Sequence, residues 1–210
     1  MNAHVRKLTI QSDVGPAAHA YTVTVARTLD DLMQMVALRA MVFMAEQSCP
    51  YDEEFDGNDF VGSTHLILRC GGEPVGVARL RWFADFCKLE RLAIHPEHRS
   101  IPALLALARE AKALAGRKGY RRLVGYANER IAKFWRRYFQ ARPRRGGGEV
   151  YFSDHRYLEM EFDIEPTAGA ITIDSDPMVL LRPEGDWDRP GVLERRPGPP
   201  AAADGEGLVQ

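Results

Sequence analysis

Alternation sets in at residue 21. "YTVTVA" (21–26) puts apolar or β-branched side chains at every second position, which predicts a strand. From residue 29 the period lengthens. Leu29, Leu32, Met33, Val36, Ala40 and Phe43 recur at helical spacing, and Thr28 with Asp31 forms a capping-box start, so a helix is predicted with those residues as its buried stripe. "CPYDEEFDGND" (49–59) is aperiodic, acidic and rich in turn formers, and reads as a loop. "STHLILRC" (63–70), "EPVGVARLRWF" (73–83) and "CKLERLAI" (87–94) read as three strands, the first two joined by Gly71 and Gly72 in a hairpin turn. Pro102 suits the first turn of a helix ending near Gly116 or Gly119. "RRLVGYA" (121–127) is a strand. Asn128 then caps a helix whose Ile131, Phe134, Trp135 and Tyr138 share one face. "GGGEVYF" (146–152) and "RYLEMEFDI" (156–164) close as a hairpin.

The order β-α-β-β-β-α-β-α-β-β predicts an α/β domain over 21–164. Residues 1–20 read as a flexible leader. In an extension over 165–195, "AITIDSDPMVLL" (170–181) is expected to add a strand, packed on the domain or on a second copy as a homodimer. Recurrent Pro and Gly make 196–210 a disordered tail.

Bulk chemistry narrows the function. A net charge of −1 gives no electrostatic reason to expect nucleic acid. Cys49, Cys70 and Cys87 are odd in number and form no CxxC pair, and no histidine–carboxylate spacing suggests a metal. That cysteine usage fits a reducing, cytoplasmic location. No apolar run is long enough to span a bilayer, and none of the signal-peptide kind opens the chain.

The element order, with "KLERLAIHPEHR" (88–99) running from a strand into a helix, resembles the GNAT superfamily of N-acyltransferases over about residues 21–164. "AMVFMAEQSCPYDEEFDGND" (40–59), preceded by Arg39, resembles an R-x-x-VF-x-x-EQ…D-x-x-D segment of one GNAT branch, and "GVARLRW" (76–82) resembles the family's third strand. "NERIAKFWRRYF" (128–139) resembles the helix after the fifth strand. Arg39, Phe43, Asp56, Asp59 and Arg79 also match the outline of acyl-homoserine-lactone synthases, although the strand reads "KLER" where those enzymes carry E-x-S-R.

The resemblance implies a mixed, mostly antiparallel central sheet flanked by helices, and acetyl-CoA or a longer acyl-CoA as co-substrate. It places Leu92, Ala93 and Ile94 in the strand that meets the thioester carbonyl. It sets Arg99 and Ser100 at the pyrophosphate loop, whose family glycines are replaced here by residues such as Ser100, Pro102 and Leu104. Pro102 removes a donor. Asn128, Lys133 and Arg136 on the next helix would help hold the donor; the ordinary alternative for such a charge run is a solvated face.

Glu90 is the candidate base. Two residues before Leu92, it is expected on the same strand face, where a carboxylate beside an apolar sheet can take the proton of the amine. The alternative is a salt bridge to Lys88 or Arg79. Trp135 stands where the family's acid tyrosine is expected. Tyr138, one turn on, can replace it, or can be a core residue. Arg39, Phe43, Asp56, Asp59 and Arg79 are the candidate acceptor-binding set, a small-molecule amine needing both charge signs around it if it carries a carboxylate; the alternative is a loop tied down by ion pairs. His65 and His155 read as structural residues on strands. Three functions remain open: acyl transfer from CoA to a small amine, lactone or N-acyl amino acid synthesis from an acyl carrier protein, and a non-catalytic sensor or partner module of the same fold.

Overall fold

In the computed structural model, residues 21–152, 155–165 and 167–195 are described. The expected leader and tail fall outside them. The first half runs β1 (Tyr21–Val25), α1 (Leu29–Arg39), a π-helical segment (Ala40–Glu46), α2 (Tyr51–Glu54), β2 (Ser63–Cys70), β3 (Glu73–Trp82) and β4 (Cys87–Ile94). A 3-10 turn (Pro96–His98) leads to α3 (Ile101–Arg117), β5 (Arg122–Ala127), α4 (Glu129–Phe139), β6 (Arg142–Pro143), β7 (Glu149–Phe152), β8 (His155–Asp163) and a short α5 (Pro177–Leu180).

The strands form one eight-stranded sheet ordered β1-β2-β3-β4-β5-β8-β6, with β7 also on β8. Every pair is antiparallel except β4 with β5. Gly71 and Gly72 both adopt positive φ, as a two-residue hairpin between β2 and β3 requires. The local start signals act as predicted. Thr28 and Asp31 make a reciprocal capping box on α1, Pro102 sits in the first turn of α3, and Asn128 caps α4; Ser100, for which no such role was expected, caps α3.

Strands apolar on both faces need cover on both sides, and the sheet is the middle of three layers. Leu66, Leu68, Ala78, Leu80 and Leu89 pack under α3 and α4, against Leu107, Ala111, Ala132 and Trp135. Ile67, Val77 and Ala93 point the other way, toward Met35, Leu38 and Val42 of α1 and the π-helical segment.

Two expectations fail here. The face of α1 against the sheet holds Met35, Leu38 and Arg39; of the expected stripe, Leu32 and Phe43 pack at its edge, whereas Leu29, Met33 and Val36 are exposed. The helix has two apolar stripes, and the buried one includes an arginine that a polarity reading excludes. Residues 170–181 form no strand. They make turns and α5, and Asp176 caps that short helix from its side chain. The segment still packs on the domain through Ile171 and Val179, and the chain after it does so through the buried Trp187.

Candidate active site

Between β4 and β5 the sheet opens. Their parallel pairing runs Cys87↔Leu123, Lys88↔Val124, Leu89↔Gly125 and then stops, although β4 continues to Ile94 and β5 to Ala127. Gly125 sits at the last pair, where a Cβ would come 3.2 Å from the Leu89 carbonyl oxygen. Beyond it lies a wedge edged by the main chain of Leu92, Ala93 and Ile94.

A bulge in β4 sets which side chains face the wedge mouth. On the β3 side the register passes from Val77↔Ala93 directly to Arg79↔Glu90, so Arg91 and Leu92 stand opposite Ala78 alone. Arg91 takes up the extra residue with φ of 53°, left-handed backbone that a non-glycine residue rarely adopts. The extra residue breaks the alternation. Leu92 packs toward the α3/α4 core, whereas Glu90 faces the α1 and α2 side, beside Arg79. The shared face expected for Glu90 and Leu92 is therefore absent.

On that side a dense ion network joins the candidate acceptor residues. Arg39 reaches Asp59 at 2.5 Å, pairs with Glu54 through Nε, and donates to the Glu54 carbonyl at 2.7 Å. Arg79 grips Asp56 with both terminal nitrogens, at 2.8 and 2.6 Å, and also reaches Asp59 at 2.8 Å. Arg39 is 1% exposed and Arg79 0%, so both guanidinium groups are shielded from solvent; the terminal nitrogens of Arg79 are held by the acids, while its Nε is buried without a hydrogen bond. Phe43 is half-buried against the α1-side core. Burial acts to raise the Asp56 carboxyl, but hydrogen bonds from Arg79 and the Asn58 N–H outweigh it and hold the group far below the ordinary range. For Glu54 burial wins over Arg39, and its pKa rises. Arg39, Asp56, Asp59 and Arg79 are brought together, as an ion-paired support in which Asp56 keeps the most exposed carboxylate, whereas Phe43 packs on the apolar cluster of α1 outside it.

Glu90 lies at the edge of this network, with its side chain 9% exposed. Lys88 Nζ is 3.2 Å from one carboxylate oxygen, and Arg79 is 3.4 Å from the other. That second oxygen, Oε1, is buried without a hydrogen bond. The salt bridges weighed as an alternative to a catalytic role are both present, and Arg81 Nε adds a third at 3.7 Å from Oε1, although that oxygen still accepts no hydrogen bond.

At the start of α3 the donors are few. Pro102 has no N–H, and the Ala103 N–H is taken by Ser100 Oγ at 3.3 Å, which leaves the Ile101 N–H among the first three helical residues. Arg99 forms a two-pronged ion pair with Glu46 and donates to the Ile94 carbonyl at 3.1 Å. On α4, Lys133 pairs with Glu129 one turn away, and Arg136 is exposed. Trp135 is buried against Phe139 and Phe162. Tyr138 is 38% exposed, so it is a surface residue and not part of the core.

One residue near the wedge had no sequence motif. Tyr126 is next on β5 after the last residue paired with β4, with Lys88 Nζ 4.8 Å from its ring centre and its hydroxyl 3.5 Å from Glu159. Burial first, then Glu159, raises its pKa. Only the termination of pairing at Gly125 brings Tyr126 to the wedge, and that is invisible in the residue order.

His65 supports the network from β2. Nε2 donates to the Asp59 carbonyl at 2.9 Å, and Nδ1 is buried without a partner. Burial pushes its pKa below the ordinary 6.5, against the opposing pull of the Asp59 carbonyl. The unfolded chain therefore binds this proton more readily than the folded one. The stabilisation is complete above that value and is lost as pH falls below it. Denaturant melts between about pH 7 and pH 5 should show declining stability in the native protein and a flatter profile in His65→Gln. Equal slopes would remove His65 from the account.

A parallel β4–β5 pair that opens into a wedge, with a capped helix following β4, defines an acyltransferase-type fold. Residues 32–139 match the model of the acetyltransferase (GNAT) family, and the chain belongs to that family. It is 34% identical over 76 residues to the uncharacterized N-acetyltransferase YjcF of Bacillus subtilis (strain 168), a match spanning 36% of this chain and 54% of that protein, about half its length. Among solved structures it resembles an acyl-CoA N-acyltransferase from Pseudomonas aeruginosa (TM-score 0.60, 22% identity, covering 68% of this chain and 99% of that one). It also resembles FeeM, an N-acyl amino acid synthase from uncultured soil microbes (TM-score 0.56, 9% identity, 71% and 93% covered). At those identities the likeness shows the fold alone. The expected mixed, mostly antiparallel sheet flanked by helices is the one observed.

Proposed function

We propose that this protein is an N-acyltransferase that moves an acyl group from acyl-CoA to the amine of a small molecule. The observation that carries the reading is the wedge between β4 and β5 with the Glu90 carboxylate at its mouth. The acyl-thioester enters the wedge, and a main-chain N–H of Leu92, Ala93 or Ile94 polarises its carbonyl. The amine attacks that carbon, a C–N bond forms, and Glu90 takes the proton released from nitrogen. The C–S bond then breaks, and the CoA thiolate is reprotonated by Tyr138 or by solvent. The network around Arg39, Arg79, Asp56 and Asp59 holds the acceptor side, with Phe43 behind it.

The donor's pyrophosphate belongs at the start of α3, where the helix dipole, the Ser100 hydroxyl and the Ile101 N–H face it. With so few backbone donors, Arg136 and Lys133 of α4 contribute much of the grip, and Arg99 does so on release from Glu46. Purified protein mixed with acetyl-CoA and longer acyl-CoAs, and with a panel of amino acids, polyamines and arylalkylamines, tests the reading. Amine-dependent release of free CoA thiol is the expected result. Its absence across the panel would count for a sensor of the same fold. The exposed cations Lys133, Arg136 and Arg137 on α4 favour a second reading in which the donor is an acyl carrier protein; the same assay with acyl carrier protein replacing CoA separates the two.

A further inference from the structure

The β4 bulge and the acceptor-side loop are tied together by one side chain. Arg91 carries the left-handed backbone of the bulge, and its side chain is largely buried. Its Nε donates to the Glu54 carbonyl at 3.1 Å and lies 3.2 Å from the Glu54 carboxylate. Its Nη2 donates to the Glu53 carbonyl and lies 3.2 Å from Asp56. All these partners belong to α2 and the residues just after it, the segment that carries the acids of the network. No feature of the bulge's backbone calls for an arginine. Glycine adopts this conformation without steric cost, and it is the usual residue at a bulge of this kind. The long side chain is therefore explained by what it reaches.

We propose that Arg91 is a positioning residue that locks the 53–56 segment to the strand edge lining the wedge. The bulge decides two things at once. It turns Glu90 toward the acceptor side, and it sets the main chain of Leu92 at the wedge. Because Arg91 holds the loop from within the bulge, the acceptor wall, the candidate base and the carbonyl-polarising strand keep one fixed relation. Acyl transfer is sensitive to such placement, since reacting groups must meet at close to contact distance. The inference rests on the proposed acyl transfer for its kinetic consequence, but not for its structural one.

Arg91→Gly tests it, because glycine keeps the bulge conformation and removes only the clamp. Two measurements are needed. Amide hydrogen exchange of the free protein should speed up together in segments 50–58 and 89–93 and stay unchanged in α3 and β8. In single-turnover assays with acetyl-CoA and the best amine of the panel, the transfer rate should fall about tenfold or more, with CoA affinity unaltered. Arg91→Lys, which keeps the charge and loses the planar fork, should recover only part of the rate. Faster exchange in the loop alone, or an unchanged transfer rate in Arg91→Gly, overturns the proposal. If the native protein transfers nothing, the acyl-transfer reading fails, and the exchange data alone decide whether Arg91 couples the two segments.

Discussion

Replacing Arg79 with alanine is expected to cost about 3–5 kcal/mol of folding stability, the usual consequence of removing one partner from a buried ion pair. Arg79 is fully buried and reaches three carboxylates, Asp56, Asp59 and Glu90. Without it, those acids face one another at the α1 side of the sheet, and water cannot fully replace the lost guanidinium. The effect exceeds that of an exposed pair such as Lys133 with Glu129, where solvent screening leaves about 0–1 kcal/mol at stake. Urea melts followed by circular dichroism give the number. The double variant Arg79→Met, Asp59→Asn should be less damaged than the two single losses added together, because it removes a charge of each sign. An Arg79→Ala protein within about 1 kcal/mol of the native would mean that the acids are better solvated than their burial indicates.

The second large effect is catalytic. Glu90→Gln keeps the shape of the side chain but removes the proton acceptor, the charge and one of the two oxygens that face Lys88 and Arg79. The turnover rate for amine acylation should fall about 10²–10⁴-fold, the range assigned to a positioned general base. CoA affinity should be unaltered, since Glu90 lies on the acceptor side. Should Glu90 serve only the ion network, the same variant would lose stability while each folded molecule kept its turnover rate. Melting curves and steady-state kinetics on one preparation separate the two roles.

The parts of this fold readable from residue order are those set by short-range chemistry. Thr28 with Asp31, Gly71 with Gly72, Pro102 and Asn128 each specify a cap or a turn through local sterics and hydrogen bonding, and all act as the chain predicts. The strands over 63–94 follow from short runs rich in apolar residues, bounded by turn formers. What escaped depends on residues distant in sequence. The sheet-facing side of α1 contains Arg39 because Glu54 and Asp59 neutralise it there, and hydrophobic spacing alone selects a neighbouring stripe that shares only Leu32 and Phe43 with the packed side. The bulge in β4 escaped because an arginine occupies a position where glycine is the local signal. As a result Glu90 points away from the face that simple alternation gives it. "AITIDSDPMVLL" has the composition of a strand, yet Asp176 followed by Pro177 is a helix start, and that local signal prevails. Of the candidate site, the clustering of Arg39, Asp56, Asp59 and Arg79 was legible, including the alternative that they tie down a loop by ion pairs. Their mutual burial was not, nor was the place of Tyr126 beside the wedge.

Whether the wedge and the start of α3 together take CoA is best tested by titration calorimetry. The account predicts saturable binding of one CoA per chain, weakening as salt is added and falling about tenfold or more in Arg136→Ala, because charge-assisted hydrogen bonds stand in for the missing glycine-loop donors. No detectable heat at millimolar CoA or acetyl-CoA would contradict it, and would leave a GNAT fold without its acyl donor.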